Sequence, residues 1–181
     1  WNDLEAQEPS AQAKHPIPAA AVQTEVEGKL REIFDFARVK KPEEKAAMAK
    51  EVYALVEHAK GSPNEQFFLL RKTMEFACDG GDVALMLLAI GAIADAFSVD
   101  VLRGQTTMLC RTARDARTPE RIASLMEGAA TGLQQAIDAH RYDLAAQLAE
   151  ALYAVAQRPG GSKYRKQLSE PRAELRRLQE Q

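Results

Sequence analysis

The side chains with the most evident chemistry in this sequence are arginines. Arg103, Arg114 and Arg117 fall within about 60° of one another on a helical wheel, with Arg111 beside them and Arg121 just beyond. A guanidinium presents a planar fork of donors, so such a ridge suits bidentate capture of an acidic partner or an anion. Asp100, Asp115 and Glu120 interleave with it. A solvated helix face has that same mixture, and it is the competing reading. Tyr142 joins the candidate surface: with Tyr53, Tyr153 and Tyr164 it could line one groove between helix pairs, where a ring packs while its hydroxyl stays wet, and packing in the core and joints is the equal alternative.

The other reactive side chains form no constellation. His15, His58 and His140 have no second His or Cys at ligand spacing, so no closed zinc site is expected. Gly80-Gly81 and Gly160-Gly161 lack the strand and the Gly-x-Gly-x-x-Gly or Gly-Lys-Ser/Thr context of a phosphate cradle and read as helix stops. There is no Gly-x-Ser-x-Gly elbow and no evident Ser, His and acid set. Glu43-Glu44 suits a helix N-terminus better than general acid and base work. No catalytic residue, metal or cofactor is assigned, and the chain reads as a non-enzyme. Two cysteines do not make a disulfide framework. Cys78 and Cys110 fall on apolar helix faces and read as buried thiols, a bridge or a reactive thiol being the alternatives.

These residues must be held by helices. Ala and Leu dominate, and most Pro and the paired Gly lie between periodic runs, which is an all-α signature. A net charge of -2 gives no reason to expect a nucleic-acid or anionic-membrane partner. The apolar run from Val83 to Ala94 is well short of the roughly 20 residues that cross a bilayer, so no membrane span is expected and the chain reads as soluble. Its start at Trp1 reads as a processed protein or an excerpt of a longer one.

The stretch from Ser62 to Phe97 reads as the helical hairpin around which the rest is built, its second arm apolar on every side and in need of neighbours all round. Residues 1–17 are polar and punctuated by proline, a flexible tail; residues 18–181 read as one helical domain. A first helix is expected from Pro18 with Val22, Val26, Leu30, Ile33 and Ala37 on one face. A second starts at Pro42, burying Met48, Val52, Leu55, Val56 and Ala59. Ser62-Pro63-Asn64-Glu65 has the form of a capping box opening a third. Gly80-Gly81-Asp82 ends it and caps the fourth, inside which Gly91 is expected to mark a close helix contact. Ser98 or Asp100 caps a fifth, and Thr118-Pro119 opens a sixth. A seventh follows the joint Ala139-His140-Arg141, burying Leu144, Leu148, Leu152 and Val155. An eighth follows Arg158-Pro159-Gly160-Gly161-Ser162 and is expected to kink or split at Pro171. Gly81-Asp82-Val83 and Tyr142-Asp143-Leu144 begin a faint internal echo without a strict period, unlike the tetratricopeptide unit of about 34 residues.

Lys29-Leu-Arg-Glu-Ile-Phe34, Lys41-Pro-Glu-Glu-Lys-Ala-Ala-Met-Ala49, Phe68-Leu-Leu-Arg-Lys72, Gly81-Asp82 and Tyr142-Asp143-Leu-Ala-Ala146 together resemble helical, tetratricopeptide-like regions of exported proteins of planctomycete bacteria. The resemblance implies an extracytoplasmic helical module, often part of a larger protein, with no assigned chemistry. Phe36-Ala-Arg-Val39 and the apolar Leu85 to Ile93 depart from that pattern.

The expected fold is all-α: about eight antiparallel helices in stacked hairpins, as a tetratricopeptide-like solenoid or a compact bundle. The expected function is a non-catalytic interaction or scaffold module that holds another protein or peptide, within a homo- or hetero-oligomer or a larger exported protein. Arg103, Arg111, Arg114, Arg117 and Tyr142 are the candidate contacts. The alternative is a small-ligand domain or enzyme with a pocket between the fourth and sixth helices, where Gly91, Gly128 and Gly132 permit close approach.

Overall fold

The computed structural model describes residues 14–179, which form eight α-helices. They are α1 (Ala20–Arg31), α2 (Pro42–Ala54), α3 (Pro63–Gly80), α4 (Val83–Ala96), α5 (Val101–Asp115), α6 (Pro119–Asp138), α7 (Tyr142–Ala156) and α8 (Arg165–Gln179), with short 3-10 turns at Val56–Ala59 and Ser162–Tyr164.

Local sequence sets most of the boundaries. Asp82 Oδ1 accepts from the Leu85 N–H at 3.1 Å, Asp100 Oδ1 from Arg103 N at 3.1 Å and Thr118 Oγ1 from Arg121 N at 3.4 Å. Each side chain satisfies an amide that the first helical turn leaves without a partner. Gly81 ends α3 with φ 82°, a left-handed conformation that a glycine adopts without a Cβ penalty, and the Asp82 N–H returns to Ala77 O at 2.9 Å. Glu44 Oε2 accepts from the backbone of Lys40 and Lys41 at the head of α2.

The Ser62–Glu65 capping box does not form: Ser62 makes no side-chain cap bond. Its N–H is already given to Ala59 O at 2.9 Å, closing the preceding 3-10 turn, so it is not free for Glu65. The first helix is also shorter than its apolar spacing implies. It runs from Ala20 to Arg31, and Ile33 is left 69% exposed. Beyond Arg31 the chain turns so that Phe34 and Phe36 stack at 5.4 Å, with Phe36 against Phe68 and Phe76 of α3. Covering these rings outweighs extending a helix with a thin apolar face. Pro171, by contrast, lies inside one continuous α8. Leu168 and Leu175 are buried on either side of it, and packing on α7 holds the helix together across the missing hydrogen bond.

The helices stack in order. Each of α2 to α7 packs on the next in sequence, and a second set of contacts joins every other helix: α1 to α3, α3 to α5, α5 to α7, and α2 to α4, α4 to α6. All substantial contacts stop at the second neighbour. The core has two parts: Val52, Val56, Leu70, Ile93 and Phe97 in one, and Ala49 of α2 with residues of α3 to α8, including Met86, Leu109, Leu125 and Leu148, in the other. α3 and α4 contribute several residues to both, and α2 contributes Ala49 to one and Val52 to the other, so, together with α2, the hairpin between Ser62 and Phe97 joins the two parts. It is not enclosed on all sides, since Leu88 of α4 is 53% exposed.

Residues 1–13 lie outside the described residues. Of the remaining stretch expected to be a tail, His15 is pinned to the end of α4: its N–H reaches Ala96 O and its carbonyl accepts from Ser98 N, both at 2.9 Å. Its ring stands 5.9 Å from that of Phe97.

Candidate interaction surfaces

Three arginines of the sequence ridge, Arg103, Arg111 and Arg121, have partners within the chain. Arg103 pairs with Asp100, its own helix cap, at 3.5 Å. Arg111 reaches back to Asp79 Oδ1 at 2.5 Å, and Lys45 of α2 takes the other Asp79 oxygen at 2.8 Å. Arg121 donates to the carbonyls of Asp79 and Gly80 at 3.2 and 2.6 Å. Arg111 and Arg121 thus fasten the C-terminus of α3, where exposed carbonyls favour cations. Arg114 and Arg117 remain exposed, with no carboxylate partner among the described residues.

They are joined by an arginine that sequence reasoning left within a chain break. Arg158 Nη1 donates to Ala113 O at 2.5 Å and Ala116 O at 2.7 Å, capping the end of α5 from across the stack. Partial burial pulls its pKa down, and Arg117 nearby pulls it the same way, against Asp115. A basic residue just after the last turn of a helix was the available signal; its target lies on another helix. Arg158, Arg114 and Cys110 line a cleft of about 250 Å³ between α5 and α7, floored by Ala113, Ala151 and Ala154.

Tyr142 opens α7, with its hydroxyl 2.9 Å from His140 Nδ1 and the two rings edge to face at 5.9 Å. The four tyrosines do not share one groove. Tyr53 packs on the N-terminal part of the core, Tyr142 on the larger part, and Tyr153 lies under the Arg172 guanidinium at 4.2 Å. Tyr164 borders a second opening.

That opening, about 400 Å³, lies between α6 and α8. α8 leans on α7 rather than closing against α6, which leaves Met126 and Leu133 of α6, Leu152 of α7 and Leu168 of α8 as an apolar floor. Ala123, Ala130, Glu127, Tyr164 and Gln167 form its border. The face of α6 toward α4 is filled: a Cβ on Gly128 would meet Val83 Cγ1 at 2.5 Å and Leu87 Cδ1 at 3.2 Å. Gly132 packs on Leu109 of α5, whereas Gly91 faces open space and makes no close helix contact.

Both cysteines are free. Cys78 is buried with Sγ 3.3 Å from Thr112 Oγ1, and burial pushes its pKa up against that hydrogen bond. Cys110 is half-buried, and its thiol is also pushed up by burial, opposed by Arg114. Among the described residues no group of three or more His, Cys, Asp or Glu is placed to hold a metal ion, and no helix is long and apolar enough to cross a membrane. Comparison with family models, with curated proteins and with solved structures finds no match.

Proposed function

We propose that this chain is a non-catalytic interaction module that holds a helical segment of another protein. The observation that carries this reading is the open α6–α8 groove, whose buried apolar floor and mixed border of Ala123, Ala130, Glu127, Tyr164 and Gln167 suit the apolar face and polar flanks of an amphipathic helix. The layered stacking of the helices, with an extended surface on each layer, supports the same reading and its tetratricopeptide-like character. The resemblance to helical regions of exported planctomycete proteins supports an extracytoplasmic setting within a larger protein or assembly.

A small apolar ligand in the same groove is the second reading, favoured by a volume within the range of small-molecule sites. It replaces a pocket between α4 and α6, where Val83 and Leu87 occupy the space beside Gly128.

The test is affinity capture of the tagged protein's partners from extract of its source, identified by mass spectrometry. Ala130→Arg would place a long cation at the groove's border without entering the core. A partner retained by the parent protein and lost with Ala130→Arg, at unchanged thermal stability, supports the module. Equal capture by both proteins removes the groove from the interface, and capture of nothing specific turns the reading toward a small ligand.

A further inference from the structure

We infer that the α5–α7 cleft is a separate docking site for a carboxylate-rich peptide segment. The cleft shares no lining residue with the α6–α8 groove, and the inference does not depend on what fills that groove.

The central group is Arg158. Its Nη1 is held by two carbonyls, Ala113 O at 2.5 Å and Ala116 O at 2.7 Å, which fixes the plane of the guanidinium. Its Nε and Nη2 have no protein acceptor among the described residues. An immobilised guanidinium with its Nε–Nη2 edge open is a two-pronged donor matched to one carboxylate, and its ordering is already complete before a ligand arrives. Arg114 shares the cleft, and Arg117 is close enough to lower the pKa of Arg158. Neither Arg114 nor Arg117 has a carboxylate partner among the described residues, and Asp115 offsets only part of this positive charge. Three neighbouring guanidiniums with little compensation complement a segment bearing several acids.

The surroundings favour spaced carboxylates over one compact phosphate. The cleft lies at the carbonyl end of α5 and not at a helix N-terminus, where a compact phosphate is usually held by backbone N–H groups. Ala113, Ala151 and Ala154 line it beside Gln147, and the small side chains leave room for a peptide backbone to lie along the two helices between the arginines.

The experiment is fluorescence anisotropy of a labelled peptide alternating Glu and Ala, with its Gln-for-Glu counterpart as control. The Glu peptide is expected to bind and the Gln peptide not, with affinity falling steeply between about 50 and about 300 mM salt. Arg114→Glu with Arg117→Glu, which leaves the α5 cap intact, is expected to weaken binding at least about tenfold. Arg158→Lys keeps the charge but loses the fork, and is expected to weaken it by a further measurable factor at a melting temperature checked in parallel. Equal binding by the parent and the double variant, or no binding by either, would overturn the inference. Displacement of the peptide by inorganic phosphate at matched charge would overturn it too, assigning the cleft to simple anions.

Discussion

Gly128 of α6 lies directly against Val83 of α4, so close that a methyl group on its Cα would stand 2.5 Å from Val83 Cγ1. Gly91 of α4 is also inside a helix yet has nothing within 4 Å of where a Cβ would be. The same residue type therefore has opposite expected responses. Gly128→Ala overpacks the α4–α6 contact and is expected to cost about 1–3 kcal/mol. Gly91→Ala removes backbone freedom from the unfolded chain and is expected to add up to about 1 kcal/mol. Chemical denaturation of the two variants beside the parent checks both signs.

Asp100 links the head of α5 to α7. It accepts the Arg103 N–H at 3.1 Å and the Arg141 guanidinium at 3.1 Å, and these hold its carboxyl below the usual range, the backbone bond foremost. A folded-state pKa below the unfolded one means stability that is present above the unfolded value and lost as pH falls through the folded one. Asp100→Ala is expected to cost about 1 kcal/mol at neutral pH. Asp100→Asn keeps an acceptor for the cap and should restore most of it, while its urea midpoint falls less than the parent's between about pH 5 and about pH 3.

Arg158 does structural work independent of any ligand. Arg158→Ala leaves the carbonyls of Ala113 and Ala116 without their shared donor and is expected to cost about 2 kcal/mol. Faster hydrogen exchange confined to the last turn of α5 and the start of α6 would identify the mechanism. A uniform increase over the whole chain would instead mean that the cap matters globally.

Thiol labelling separates the two cysteines. Cys110, half-buried at the edge of the α5–α7 cleft, is expected to react with a disulfide reagent before the buried Cys78. Both pKa values are raised by burial, so both rates should climb with pH well past the point where an exposed thiol levels off. Mass spectrometry after partial labelling gives the order directly.

Helix number and most helix starts were legible because they depend on residues three or four apart: Asp82, Asp100 and Thr118 each cap amides within their own first turn. The apolar stripe of α7, Leu144, Leu148, Leu152 and Val155, was legible for the same reason. The pairing of Arg111 and Arg121 was not legible because their acceptors at Asp79 and Gly80 lie 32 to 42 residues away and come near only when α3, α5 and α6 assemble. A helical wheel of α5 cannot register a neighbour that neutralises one of its members. Glycines showed the same limit. Composition marked Gly91, Gly128 and Gly132 alike, but only the neighbouring helix decides which of them faces packed atoms.

The main packing between helices stops at the second neighbour, and Arg121 of α6 reaches one helix further, to the end of α3, so among the described residues α1 and α8 do not pack on each other. Opening at one end therefore need not disturb the other, and the free energy of unfolding becomes a sum of local steps rather than a single event. α3 and α4, which contribute several residues to each part of the core, should be the last to exchange their amide hydrogens, with protection grading downward toward α1 and α8. Such a chain can yield at a terminal helix under load and re-form there while its centre stays folded.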